Sequence, residues 1–191
     1  MPGFFILSQG YWTKTDTKVV IYLHVSNISA MGKTPFLGEE KAWIKIKHFC
    51  NYRERCHFEV KQQLFGMGLA PKQVEMLICR LIEEGLLNEQ RFAKMYAGGH
   101  FRQKKWGKLK IIQALRLKKV SEPVIKKALN EIETVDYAAS LQKLAAAKWA
   151  SLKGQPYITR QAKTFTYLQQ KGYEAAVVRE AILAVRDAKE G

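Results

Sequence analysis

Four residues suggest a metal site: His48, Cys50, Cys56 and His57, all within HFCNYRERCH. A zinc site needs four ligands that converge on one ion. Sequence shows this as a C-x-x-C pair with a second ligand pair a helix away. Neither spacing is present, so no metal ligand is assigned. Cys50 and Cys56 fall at the end of one expected helix and the start of the next, and read as small apolar fillers. No Ser–His–Asp or Cys–His arrangement argues for a nucleophile, and no carboxylate pair stands in a Gly-rich or loop context. WGKLK resembles the end of a phosphate loop, but that frame requires glycine at the position held by Arg102. The expectation is a protein that is not an enzyme and carries no cofactor or metal.

The chemistry that remains is electrostatic. HFRQKKWGKLK, His100 to Lys110, holds five positive charges and no negative one. It lies in a 32-residue window without acids, between Glu89 and Glu122, which contains Arg91, Lys94, Arg102, Lys104, Lys105, Lys108, Lys110, Arg116, Lys118 and Lys119. A second acid-free window runs from Asp136 to Glu174 with six Lys or Arg. The whole chain of 191 residues has a net charge of +15. A single basic run is often just a solvated helix face. Two long windows in a strongly basic chain point instead to an anionic partner. The candidate binding residues are Arg102, Lys104, Lys105, Lys108, Lys110, Arg116, Lys118 and Lys119. Six of them, Arg102, Lys104, Lys105, Lys108, Lys118 and Lys119, are expected to form one continuous positive face. No helix carries Arg, Asn and Gln at base-reading spacing, so sequence-specific readout is not indicated.

These charges must be carried by helices. From Glu39 onward apolar residues recur at helical spacing: Val74, Leu77, Ile78, Leu81 and Ile82; then Ile125, Ala128, Leu129 and Ile132; then Val178, Ala181, Ile182 and Val185. Pro71 and Pro123 stand in first turns, where a missing N–H costs nothing, and Ser121 and Thr134 are the expected N-caps. The stripes are copies of one unit. Leu64, Leu69, Val74, Ile78 and Leu81 recur 51 residues later as Leu115, Val120, Ile125, Leu129 and Ile132. They recur a further 53 residues on as Leu168, Tyr173, Val178, Ile182 and Val185. The third copy departs at Thr164, which stands where the others have Val60 and Ile111.

Gly66, Gly68 and Gly172 are expected to end helices in the left-handed region. A further helix precedes each pair, over about 39–51, 88–104 and 134–153. The fold class is therefore all-α, with three tandem three-helix repeats forming an elongated, curved body. The expected divisions are residues 38–86, 87–133 and 134–191. Residues 1–37, with a β-like VVIYLHV, read as a poorly ordered extension, and Met31 is a plausible alternative start. One three-helix unit buries little alone, so neighbours must share apolar surface. Gly98 and Gly99 read as a place where a neighbouring helix approaches closely, the alternative being a flexible point beside the basic segment. Trp106 reads as core, the alternative being a platform for stacked bases.

Several stretches together, RERCHFEVKQQL, LIEEGLLNEQRFAKMYAGGHFRQKKWG, KIIQALRLKKVSEPVIKKALNEI and LQKLAAAKWASLKG, resemble the bacterial RecX family of regulatory proteins, modulators of the RecA recombinase. The resemblance covers about residues 40–188. It is strongest at the L-x-[DN]-x-x-[RF]-F-A turn, here Leu86, Leu87, Asn88, Glu89, Gln90, Arg91, Phe92 and Ala93. Many members carry Asp where Asn88 stands, and either residue caps a helix. The resemblance implies three tandem three-helix repeats that bind the RecA–single-stranded DNA filament and restrain its ATPase, strand-exchange and co-protease activities. Two other readings stay open from the residues alone: a free-standing, non-sequence-specific binder of single-stranded or duplex DNA, and a protein-interaction scaffold whose charge serves solubility. The three cysteines suit a reducing cytoplasm, no apolar run is long enough for a membrane, and a monomer is expected.

Overall fold

The computed structural model describes residues 38–190; the expectation for the N-terminal extension lies outside them. The described chain is a series of α-helices: α1 (Glu39–Tyr52), α2 (His57–Gly66), α3 (Pro71–Glu83), α4 (Glu89–Lys104), α5 (Lys108–Leu117), α6 (Glu122–Asn130), α7 (Thr134–Ser151), α8 (Tyr157–Lys171) and α9 (Ala175–Glu190). All the extensive helix–helix packing lies within trios: α1–α3, α4–α6 and α7–α9. These three units follow one another along an elongated molecule.

The register of the repeats is a register of burial. Of the fifteen apolar positions named above, all are buried except Leu129, which is half-buried. Ile82, the last member of its stripe, turns outward and is 46% exposed. Each unit turns its chain at the same place. Gly68, Lys119 and Gly172, one per repeat, adopt φ of 81°, 60° and 92°. The hydrogen bonds at the last two follow the Schellman pattern: Val120 N–H donates to the Leu115 carbonyl and Lys119 N–H to that of Arg116, as Tyr173 donates to Leu168 and Gly172 to Gln169. Gly66 is simply the last residue of α2, with no left-handed conformation. Asn88 caps α4, its side chain accepting the Arg91 N–H at 2.9 Å. Ser121 occupies the N-cap of α6 without a side-chain hydrogen bond, and Thr134 is the first residue of α7 rather than its cap.

The core is divided unequally. The first unit packs its own cluster around Ile46, Leu64, Val74 and Leu81. The second and third units share one continuous cluster, running from Phe92 and Ile111 to Trp149 and Ile182. Cys56 and Phe58, at the start of α2, cross over into that second cluster.

The seam between the second and third units is set by two glycines. The backbone at Gly107 lies directly on that at Gly172. Gly107 N–H donates to the Lys171 carbonyl at 2.8 Å, and Leu109 N–H donates to the Gly172 carbonyl at 3.0 Å. A Cβ on Gly107 would sit 2.2 Å from the Gly172 oxygen, and one on Gly172 would sit 2.3 Å from the Lys110 Cβ. Beside this crossing, Lys108 N–H donates to the Tyr137 hydroxyl at 3.1 Å, and that hydroxyl donates to Glu174 at 2.5 Å. Burial, reinforced by the Glu174 carboxylate, pushes the Tyr137 phenol above its usual range, so it stays a donor.

Candidate functional site

The cationic segment occupies the end of α4, the turn at Trp106–Gly107, and α5. Its side chains do not share one environment. Arg102 and Lys105 lie on the side of α4 that faces α7. There they line a cleft of about 370 Å³ with Phe101, Asp136, Ser140 and Lys143. Lys104 and Lys110 reach over Trp106, with their Nζ atoms 5.2 and 5.0 Å from the ring centroid. Lys110 Nζ also donates to the Gln170 carbonyl at 3.1 Å. Lys108 lies over the Tyr137 ring at 4.9 Å.

At the other end of α5, about 15 Å away by helical rise, Lys118 pairs with Glu59 at 2.6 Å and lies over Phe92 and Tyr96. Arg116 donates twice to Glu122, at 2.6 and 3.1 Å. Lys119 is exposed in the α5–α6 turn.

The structure thus brings Arg102, Lys104, Lys105, Lys108 and Lys110 to one end of the second unit. Arg116, Lys118 and Lys119 stand at the other end, two of them engaged with acids of this chain. Burial alone would raise the Glu59 carboxyl, but the Lys118 ammonium overrides it and holds Glu59 below the usual range. Lys118 therefore acts as a tie between the first and second units, alongside Arg91–Glu54 at 2.6 Å.

Of the two glycines before the basic segment, Gly98 is buried and Gly99 half-buried. A Cβ on Gly99 would meet nothing within 4 Å. A Cβ on Gly98 would lie 2.8 Å from Nη1 and 3.0 Å from Nη2 of Arg102. Gly98 thus makes room for a guanidinium folded back along its own helix.

Trp106 is half-buried against the shared core, as the packing reading expected. It continues an aromatic row along α4: Phe92 to Tyr96 at 5.6 Å, Tyr96 stacked on His100 at 4.0 Å, and His100 to Trp106 at 4.5 Å. With His100 and two lysines around its ring, Trp106 offers little free face to a base. Burial, with Lys104 and Lys118 nearby, lowers the His100 pKa and favours the neutral ring.

The cysteine and histidine group is dispersed in role. Cys50 and Cys56 are buried, and burial pushes the Cys50 thiol up to about 11. His57 faces Glu89 at 3.8 Å. Among the described residues no group of three or more His, Cys, Asp or Glu is placed to hold a metal ion. No helix among them is long and apolar enough to cross a membrane.

Comparison with known proteins gives the context for this arrangement. The profile of the second three-helix domain of RecX matches residues 88–129, and that of the third matches residues 135–182. The regulatory protein RecX of Halorhodospira halophila is 32% identical over 133 residues, which span 69% of this chain and 80% of that one. That of Pelodictyon phaeoclathratiforme is 30% identical over 124 residues, 65% of this chain and 76% of that one. The chain belongs to the RecX family.

The crystal structure of RecX from Lactobacillus salivarius superposes with a TM-score of 0.73 at 19% identity, covering 78% of this chain and 96% of that one. A second RecX crystal structure gives 0.70 at 22% identity, over 93% and 81% of the two chains. At that identity the likeness establishes the fold, three RecX-type three-helix units. Both RecX domain matches fall on the units that contain the acid-free windows. In this chain the excess positive charge therefore lies mainly on the second and third units, and Lys143 on the third faces Arg102 and Lys105 on the second. Lys143 was absent from the candidate set, though the second acid-free window pointed toward it.

Proposed function

We propose that this RecX-family chain is a regulatory protein that binds the RecA–single-stranded DNA filament and restrains recombinase turnover. The basic end of the second unit is its docking surface. Family membership carries this reading. The disposition of charge supports it: Arg102, Lys104, Lys105 and Lys108 have no acidic partner within ion-pair distance among the described residues, whereas Arg91, Lys94, Arg116 and Lys118 are each paired within the chain. Cations left free on a folded surface supply long-range attraction to an anionic filament and little intrinsic stability. An elongated body suits a long groove better than it suits a compact ligand.

The test is RecA ATPase on single-stranded DNA, titrated with the full chain and with a variant carrying Lys104→Glu, Lys105→Glu and Lys108→Glu. Each lost close contact is worth on the order of 1 kcal/mol. The variant should therefore need at least about tenfold more protein for the same inhibition, with unchanged helical circular dichroism. Equal inhibition by both proteins would remove this surface from the docking role. No inhibition by the wild type would remove the function.

A further inference from the structure

We propose that the cleft between α4 and α7 is a phosphodiester-binding subsite for single-stranded DNA, with Gly98 positioning its arginine. The inference rests on the filament-binding reading above and assigns its nucleic-acid contact to a defined place.

Arg102 and Lys105 come from the second unit and Lys143 from the third, and all three line the same cleft. None has a carboxylate within ion-pair distance among the described residues. Asp136 lies in the same lining and has no cation within ion-pair distance among the described residues. With three cations and one acid, the cleft is left with a net charge of about +2, enough to attract a backbone of single negative charges.

Two features shape where the exposed cations sit before any ligand arrives. The missing side chain of Gly98 gives the Arg102 guanidinium a seat along α4, where a Cβ would press within 2.8 Å of it. The Lys105 backbone is set as the C-cap of α4 at φ 54°, its N–H donating to the Phe101 carbonyl at 3.0 Å, so the side chain leaves the helix end on the cleft side. The opposite wall belongs to α7, and the Gly107–Gly172 crossing fixes the two units against each other. The Ser140 hydroxyl adds a donor, and Phe101, Ala139 and Leu144 supply apolar surface. A phosphate flanked by a sugar and an unpaired base uses all three kinds of lining. An acidic peptide could meet the charge and the Ser140 donor, but its carboxylate side chains bring no flat ring to the apolar wall, which is why single-stranded nucleic acid is favoured.

The experiment uses the full chain without RecA and a labelled oligo-dT of about 20 nucleotides, read by fluorescence anisotropy across a salt series. The cleft variant carries Arg102→Gln, Lys105→Gln and Lys143→Gln. An equal-charge control carries Lys47→Gln, Lys61→Gln and Lys94→Gln, whose cations already face Glu84, Glu75 and Glu131. Single strands contribute about 0.7 to the log–log salt slope per neutralised phosphate, so the cleft variant should lose about 2 units of slope and at least about tenfold in affinity, and the control less than about threefold. Gly98→Ala changes no charge, and is expected to weaken binding by about two- to threefold at unchanged helicity, the scale of one exposed charge contact.

An equal loss in cleft and control variants would overturn the subsite. So would tighter binding of a poly-glutamate of matched charge. Wild-type affinity in Gly98→Ala would overturn the seating of Arg102. Either of the first two results with wild-type inhibition of RecA intact would sink the subsite and leave the regulatory reading standing.

Discussion

Replacing Gly107 by alanine should cost more stability than the same change at Gly38, Gly66, Gly98 or Gly99. The backbone at Gly107, φ −74° and ψ 165°, is open to any residue, so the effect is purely one of space. The added Cβ would lie 2.2 Å from the Gly172 oxygen, 2.3 Å from its carbonyl carbon and 2.4 Å from the Tyr173 nitrogen. All three are backbone atoms, so no rotamer change relieves the clash. The two segments must part by about 1 Å to restore ordinary contact. That opens the 2.8 Å bond from Gly107 to Lys171 and the 3.0 Å bond from Leu109 to Gly172.

Two neutral hydrogen bonds contribute about 1 kcal/mol each, and forced separation of a packed seam costs about 1–3 kcal/mol more. The sum for Gly107→Ala is about 3–5 kcal/mol, which for a chain of this size corresponds to a fall in Tm of roughly 10 °C. Gly107→Ala and Gly172→Ala act on one seam, so the double variant should fall well short of the sum. The assay is a thermal melt by circular dichroism at neutral pH, with Gly99→Ala as the contrast. Gly99 lies inside α4 facing open space, and alanine there should stabilise by up to about 1 kcal/mol. Melting of Gly107→Ala within about 2 °C of the wild type would refute the reasoning about the seam.

Other outcomes follow from single features. Lys119→Gly removes a side chain from a left-handed residue in the α5–α6 turn and should raise stability by about 1 kcal/mol, measured by urea denaturation with an unchanged m-value. Glu59 is held below its ordinary pKa in the fold, so its contribution is present above the unfolded value of about 4.3 and is lost as pH falls through the folded one. Melts between pH 7 and pH 3 should therefore show a steeper acid loss for the wild type than for Glu59→Gln; parallel curves would contradict the tie to Lys118. Cys50 and Cys56 are buried with raised thiol pKa values while Cys79 is exposed, so Ellman's reagent should label one thiol quickly in the folded chain and three in denaturant.

The parts of the fold visible in sequence were those set by local periodicity. The helices over 39–52, 89–104 and 134–151 and the threefold burial register follow from apolar residues that must face one core, and helical spacing reports that directly. The left-handed turns were visible at Gly68 and Gly172, where glycine advertises them. They were hidden at Lys119, where the fold imposes the same conformation on a residue that does not prefer it. What depends on how units stack was not visible. Nothing near Gly107 in sequence indicates that Gly172 will lie on it. Nothing near Lys118 names Glu59, 59 residues away, as its partner. The same gap affected the candidate site: counting charge along the chain found the cations, but only packing separates Arg116 and Lys118, engaged with acids of the chain, from Arg102 and Lys105, which face Lys143 across a cleft.

The central claim is that the partner is the assembled filament, and binding of the labelled full chain tests it most directly. The comparison is between preassembled RecA–single-stranded DNA filaments, the same DNA alone and RecA alone, at one moderate salt concentration. A modulator of the filament should bind the assembly at least about tenfold more tightly than either component, a difference of about 1.4 kcal/mol. Equal affinity for filament and bare DNA would contradict the account and leave a free-standing DNA-binding protein in its place.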